Sequence, residues 1–296
     1  MRVDQLRAIA DLHLGHLYDF QAMQLFREGQ NRAMRFALRD LSGAVVIFLK
    51  GGGNCFPVQG LERLKEIARG ICIDHVDGVF GPGASFRYAD VHIVASHAAL
   101  RAGRSLLISH PDSFAADAQI ELLTHHPDPR IVWRDASSDT ALKPGYFGLP
   151  KNVYLPETLK DRFSDADLEH GAPFAEMLER MERANLHYAV RPLSRARMRG
   201  AHVYKPFTKG FNAARAGANM IINRDADDAL EYLGDDYPYL VDANDPAMVA
   251  EAFEKAEKDV GGKDWKMGLS AMSSVRARSS HEHIAAELRG ILARFR

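Results

Sequence analysis

Residues 186–222, LHYAVRPLSRARMRGAHVYKPFTKGFNAARAGANMII, put basic side chains where a parallel α/β sheet binds its ligands. The runs 186–190 and 201–204 read as strands, and each is followed at once by a basic residue, Arg191 and Lys205. Pro206 stops the second strand, and Thr208 is expected to cap a helix that starts at Lys209. The C-terminal edges of parallel strands line the ligand crevice. A helix starting there would aim its unsatisfied N–H groups and positive dipole end at the same spot. Arg191, Lys205 and Lys209 would then converge on it. Each hydrogen bond to a charged group contributes about 1.5–3 kcal/mol. Three cations and a helix terminus suit a diphosphate better than a lone carboxylate. Asn212 is placed to hydrogen-bond a neighbouring sugar hydroxyl. Arg195, Arg197 and Arg199 read as solvated charges.

A second stretch, ADLHLGH at 10–16, holds Asp11, His13 and His16. It resembles the opening motif of the calcineurin-like metallophosphoesterases, in which a strand ends in Asp-x-His and both side chains hold a metal. That resemblance implies a two-metal site, which needs further ligands on later strand ends. The strand over 44–49 leads into GGGNCF, with Cys55 where a histidine is needed. The pairs His125-His126 and His281-x-His283 stand at a helix end and on a charged helix, where they do not complete a ligand set. The sequence therefore favours no metal, and reads 10–16 as a strand passing into a loop at a cleft edge or in water.

The elements around these residues come from composition and pattern. The chain has 296 residues, enough for two ordinary domains, and its hydrophobic share of 46% supports sizeable cores. With 38 basic and 39 acidic residues, the net charge of −1 argues against a general nucleic-acid binder. Cys55 and Cys72 have no CxxC spacing and read as buried packing residues of a reducing compartment. The longest apolar run, 44–49, is far too short to span a bilayer, and the N-terminus lacks an apolar signal core. A soluble, cytoplasmic protein is expected, with peripheral membrane contact left open.

Short apolar runs alternate with helical stretches, as in layered α/β folds with parallel sheets. Helices are expected at 19–40, 61–70 (closed by Gly70), 113–126 (capped by Ser113), 165–185, 208–217, 245–260 and, once or twice, over 265–296. Strands are expected at 44–49, 89–96, 105–109, 186–190, 201–204, 219–222 and 237–241. Gly51, Gly52 and Gly53 form a loop that lets backbone approach a ligand closely. The passage 140–160, with three prolines and two glycines in LKPGYFGLPKNVYLPE, is the expected crossing between domains.

The segment KPFTKGFNAARAGANMII resembles the Lys-Pro-x-x-Lys-x-x-Asn-Ala-x-x-Ala-Gly region in the C-terminal domain of bacterial glycosyltransferases of the GT-B fold, with family 1/4-like features. GYFGLPKNVYLP, YPYLVDANDPAMVAEAFEKA and MSSVRARSSHEHIAAELRGIL resemble the segments before and after it. The resemblance covers about 145–296. It implies an α/β chain of two Rossmann-like domains facing across a cleft. An acceptor domain would span 1–150 and a nucleotide-sugar domain 151–280, with a helix over 281–296 packing back on the first.

It further implies a UDP- or GDP-linked sugar donor, no cofactor, an unspecified acceptor and a setting in polysaccharide or cell-envelope synthesis. Arg191, Lys205, Lys209 and Thr208 would face the donor diphosphate, and Asn212 its ribose or sugar. Asp11, His13 and His16 are the catalytic candidates, and Gly51–53 would border the cleft. Commoner retaining members carry Glu near the position of Asn212, within a Glu-x7-Glu pattern that this chain lacks. A non-catalytic nucleotide-sugar binder and a metal-dependent phosphoesterase are the alternative functions.

Overall fold

The computed structural model describes residues 2–23, 41–77, 85–163, 174–192, 204–226, 228–242 and 245–296. The chain divides into two compact units. The first comprises Met1–His125, Val203–Pro206 and His281–Arg296, and the second His126–His202 and Phe207–Ser280.

In the first unit, helix α1 (Arg2–Leu14) precedes strand β1 (Val45–Leu49). Helix α2 (Val58–Ile67), strand β2 (Gly70–Asp74), strand β3 (Val91–Val94), helix α3 (His97–Ser109) and strand β4 (Gln119–Leu122) follow. Among the described residues the strands lie in the order β1-β2-β3-β4, all parallel. β2 and β3 are buried throughout, as parallel strands covered on both faces must be. The last helix, α9 (His281–Ala293), returns to this unit. Its Ile284, Leu288, Ile291 and Leu292 share a core with Leu6, Ile9, Ala10 and Leu14 of α1. Thr124 fixes it further by giving its backbone N–H to Glu287 at 2.7 Å.

The second unit repeats the plan. Strand β5 (Pro144–Tyr146), helix α4 (Phe174–Arg183), strand β6 (Leu186–Tyr188), helix α5 (Thr208–Ala216) and strand β7 (Asn219–Asn223) come first. Helix α6 (Ala229–Leu233), strand β8 (Leu240–Val241), helix α7 (Pro246–Lys258) and helix α8 (Lys263–Arg278) complete it. The strand order is β5-β6-β7-β8, again all parallel. α5 buries Phe211 together with Gly210, Ala213, Ala214 and Ala216, small residues that bring its axis close to the sheet. Gly217 ends it with φ 79°, the left-handed turn that glycine adopts without penalty. Asp245 caps α7 by accepting from Ala247 N–H at 3.0 Å.

Several expectations are corrected. Residues 2–14 form a helix, so Asp11 and His13 do not end a strand. The run 105–109 is the end of α3, whose start is capped by Ser96 Oγ accepting from Ala99 N–H at 3.1 Å. A five-residue apolar run fits either element, and here the cap extends the helix over it. The expected helix at 113–126 contains β4, because pairing with β3 overrides the local helix formers. Gly70 starts β2 rather than closing α2, which ends at Ile67. Its missing Cβ makes room for the ring of Phe295. Gly51–53 lie in a 3-10 turn, Lys50–Cys55.

The expected helix at 19–40 falls mostly outside the described residues, and 19–23 are irregular. In the expected strand at 201–204, only Tyr204 is described, and it is not in a strand. Of 165–185, residues 165–173 are not described and the rest holds α4. The passage 140–160 lies inside the second unit, with β5 in it.

Arg2 holds the first unit's sheet edge. Its Nε donates to Asp74 Oδ2 at 3.1 Å, and its terminal nitrogens donate to the carbonyls of Leu123 and Thr124 at 3.1 and 3.3 Å. Both charged side chains are buried. Removing one partner of such a pair leaves an uncompensated charge, at a cost of about 3–5 kcal/mol. Arg2→Ala is accordingly expected to destabilise the first unit by that amount in urea unfolding. A loss below about 1 kcal/mol would contradict the buried pair.

Candidate functional site

The chemistry-bearing residues of the second unit gather at the C-terminal ends of β5, β6 and β7. β5 ends on Tyr146, whose hydroxyl donates to Leu149 O at 2.7 Å and closes the turn after the strand. Gly148 lies in that turn. A Cβ there would stand 2.8 Å from the Tyr146 hydroxyl and 3.2 Å from Lys209 Nζ, so only glycine leaves the space open. Burial pushes the Tyr146 phenol up to about 12, with the Arg191 charge opposing, so it stays protonated at neutral pH.

Lys209 sits in the first turn of α5. Its ammonium is shielded from solvent and lies 4.3 Å from the centroid of the Tyr146 ring. Such cation–π contacts contribute about 0.5–2 kcal/mol. Arg191 follows β6 and is held by Asn223 at the end of β7. Asn223 Oδ1 accepts from Arg191 N–H at 2.7 Å, and its Nδ2 donates to Arg191 O at 3.1 Å. This two-point clamp fixes the backbone from which the guanidinium projects.

A cavity of about 20 Å³ lies beside Lys209 and Asn212, walled also by Phe147, Met181 and His187. It has room for about one water molecule. Asn212 Oδ1 accepts from Asp128 N–H at 2.9 Å, so the group it can offer a ligand is its Nδ2 donor. The Arg130 guanidinium, 2.7 Å from Asp128, holds that carboxyl below its usual range. His187 Nε2–H donates to Met181 O at 3.1 Å. Burial lowers its pKa to about 4, and the Lys209 charge acts in the same direction. The imidazole is therefore neutral at physiological pH.

The structure thus brings Arg191, Lys209 and Asn212 to one sheet edge. Thr208 does not cap: it is the first helical residue, and Phe207 holds the cap position without a side-chain bond. Lys205 is exposed and lies in Val203–Pro206, which belongs with the first unit. Tyr146, Gly148 and Asn223 were missed in the sequence. A glycine two residues past a strand was the available signal for Gly148. Nothing local marks Tyr146 or Asn223, whose partners are distant in sequence.

In the first unit, Asp11 is exposed and paired with Arg7 at 3.5 Å, and His16 is exposed. The His13 ring meets that of His281, with centroids 6.4 Å apart. Arg2, at the other end of α1, marks the C-terminal sheet edge through Asp74. Eleven residues of helix put His13 roughly 16 Å from it. Among the described residues no three His, Cys, Asp or Glu side chains cluster as a metal would need.

That edge instead carries His75, which stacks on the buried His92 of β3 with ring centroids 5.3 Å apart and Nε2 and Nδ1 hydrogen-bonded at 3.1 Å. Burial lowers His75 to about 3, with His92 adding to the effect, and lowers His92 to about 4. Val76 follows at φ 55°, a left-handed conformation that strains a β-branched residue. Gly53 is buried, and a Cβ on it would stand 3.1 Å from Ser85 Cβ.

No family model and no curated protein matches the chain. Solved structures do. Sucrose-phosphate synthase from Thermosynechococcus elongatus superposes with a TM-score of 0.56 at 13% identity, covering 92% of this chain and 80% of that one. HepE from Anabaena, solved with UDP and glucose, gives 0.57 at 11% identity over 89% and 80%. The UDP-forming α,α-trehalose-phosphate synthase from Burkholderia vietnamiensis gives 0.57 at 10% identity over 99% and 86%. These are glycosyltransferases of the GT-B fold, and the present chain has that fold. Two Rossmann-like units each carry a parallel sheet, and the last helix returns to the first.

The depressed histidines set a pH dependence. Below its ordinary value of 6.5, the unfolded chain takes up a proton that folded His187 refuses until about pH 4. Its contribution to stability is therefore complete above pH 6.5 and is lost as pH falls toward 4. The slope is up to about 1.4 kcal/mol per pH unit for such a group. His187→Gln should flatten the decline in urea-melt stability between pH 6.5 and 4. An unchanged slope would contradict the neutral, buried imidazole.

Proposed function

We propose that the chain is a glycosyltransferase that takes a UDP- or GDP-linked hexose at the edge formed by Tyr146, Arg191 and Lys209. The observation that carries this reading is the fixed positive locus there. The start of α5 has no acidic residue in its first turn and carries Lys209, with Arg191 acting on the same tyrosine. An anion with two charged phosphates matches it, and the fold neighbours, one of them solved with UDP-glucose, support a nucleotide sugar. As the glycosidic bond breaks, negative charge accumulates on the leaving diphosphate. Preorganised Lys209, Arg191 and the α5 N–H groups would stabilise that charge more than the ground state. Asn212 Nδ2 is assigned to a ribose or sugar hydroxyl. Assembly of a cell-envelope polysaccharide is the proposed setting.

Lys209→Ala is expected to fold, as judged by circular dichroism, and to lose at least ten-fold in affinity for UDP or GDP by calorimetry, with turnover falling in parallel. Unchanged affinity for both nucleotides would overturn the assignment. Release of nucleoside diphosphate from the donor separates an enzyme from a pure binder.

A further inference from the structure

We propose that the surface around Trp133 is a second carbohydrate site, which binds a neutral glycan apart from the donor edge. The choice of a glycan rests on the glycosyltransferase reading. The existence of the site rests on geometry.

The segment that carries Trp133 is tied down on both sides. Ile131 is fully buried against Met181 and Ala216, and its carbonyl accepts from Arg215 Nε at 2.9 Å. Val132 N–H donates to Glu182 Oε1 at 2.9 Å. Arg134 N–H donates to Ala216 O at 3.3 Å, and its Nε donates to Glu182 O at 3.2 Å. Between these tethers Val132 is 64% exposed and Trp133 49% exposed. The other tryptophan, Trp265, is fully buried. Val132 and Trp133 together display an apolar surface on a fixed backbone.

A cavity of about 500 Å³ opens beside it, lined by Val132, Trp133, Arg134, Lys143, Glu179, Glu182 and Arg183. That volume is within the range of about 300–1,000 Å³ typical of ligand sites. The guanidinium of Arg276 stands 4.6 Å from the Trp133 ring and lines the neighbouring cavity, not this one.

The lining selects the ligand class. The negative face of an indole attracts the C–H-rich face of a pyranose ring. Around it stand carboxylates that accept hydrogen bonds and cations that donate them, as a polyol requires. The charges are engaged among themselves: Arg183 lies 3.5 Å from Glu179, and Lys143 3.7 Å from Asp139. Arg134, Lys143 and Arg183 stand in the same lining as Glu179 and Glu182, so charges of both signs face the cavity and a neutral polyol finds donors and acceptors together.

The test is native affinity electrophoresis of the full chain in gels cast with glycogen, dextran or barley β-glucan, with heparin as the anionic probe. At least one neutral glycan should retard the wild type. Trp133→Ala, and Glu179→Ala as a milder surface variant, should each weaken the apparent affinity at least ten-fold. Lys209→Ala should be retarded like the wild type. No retardation by any neutral glycan, retardation by heparin alone, or full retardation of both Trp133→Ala and Glu179→Ala would overturn the proposal. Calorimetry with UDP on the same samples separates the two readings. Glycan binding without nucleotide binding refutes the donor site alone, and nucleotide binding without glycan binding refutes this site alone.

Discussion

A lysine ammonium pressed against an aromatic ring at the positive end of a helix is the constraint around which the second unit's sheet edge is arranged. A cation in the first turn opposes the helix dipole by about 0.3–1 kcal/mol. The Tyr146 ring beneath Lys209 offsets this by an amount of similar size. The neighbours follow from that contact. Glycine at 148 leaves room for both groups, because a Cβ would crowd the tyrosine hydroxyl and the ammonium. His187 is neutral, kept so by burial and by the Lys209 charge. Arg191 is clamped by Asn223 rather than left on a free loop. The outcome is concentrated positive potential, held in place before any ligand arrives, which is what stabilisation of a leaving diphosphate requires.

The first unit uses different means at its own strand ends. There a buried Arg2–Asp74 pair ties α1 to β2 and to the chain after β4. The next residues are His75, stacked on His92 of β3, and the strained Val76. Backbone strain beside a buried titratable pair is a pattern of sites that position a reacting group. The two sheet edges thus differ in character: the buried imidazoles of the first unit resist protonation, and the second unit's edge is fixed and cationic.

The region from β6 to α7 was largely legible in the sequence, and the reasons are local. Gly217 ends α5 where the alanine-rich helix stops, and Asp245-Pro246 opens α7 with a cap and a proline in the first turn. Lys209 could be placed at a helix start because Pro206 and the following helical pattern bracket it. Elsewhere local signals misled. The run 105–109 is strand-like in composition but continues a capped helix, and 119–122 is helix-like but pairs with β3. Gly70 looked like a helix stop, yet it is needed where Phe295 packs. Asp11 and His13 carry a strand-end motif on a helix. What could not be read were partners far apart in the chain: Tyr146 with Lys209, Asn223 with Arg191, His75 with His92. Each needs the sheet to be assembled before its chemistry exists.

The most direct measurement is a structure of the chain with a nucleoside diphosphate bound. The account predicts the two phosphates over the first turn of α5, within hydrogen-bond reach of Lys209 and the Arg191 guanidinium and beside the Gly148 turn. A diphosphate seated away from β5, β6 and α5, with Lys209 still against Tyr146 and touching no phosphate oxygen, would contradict it.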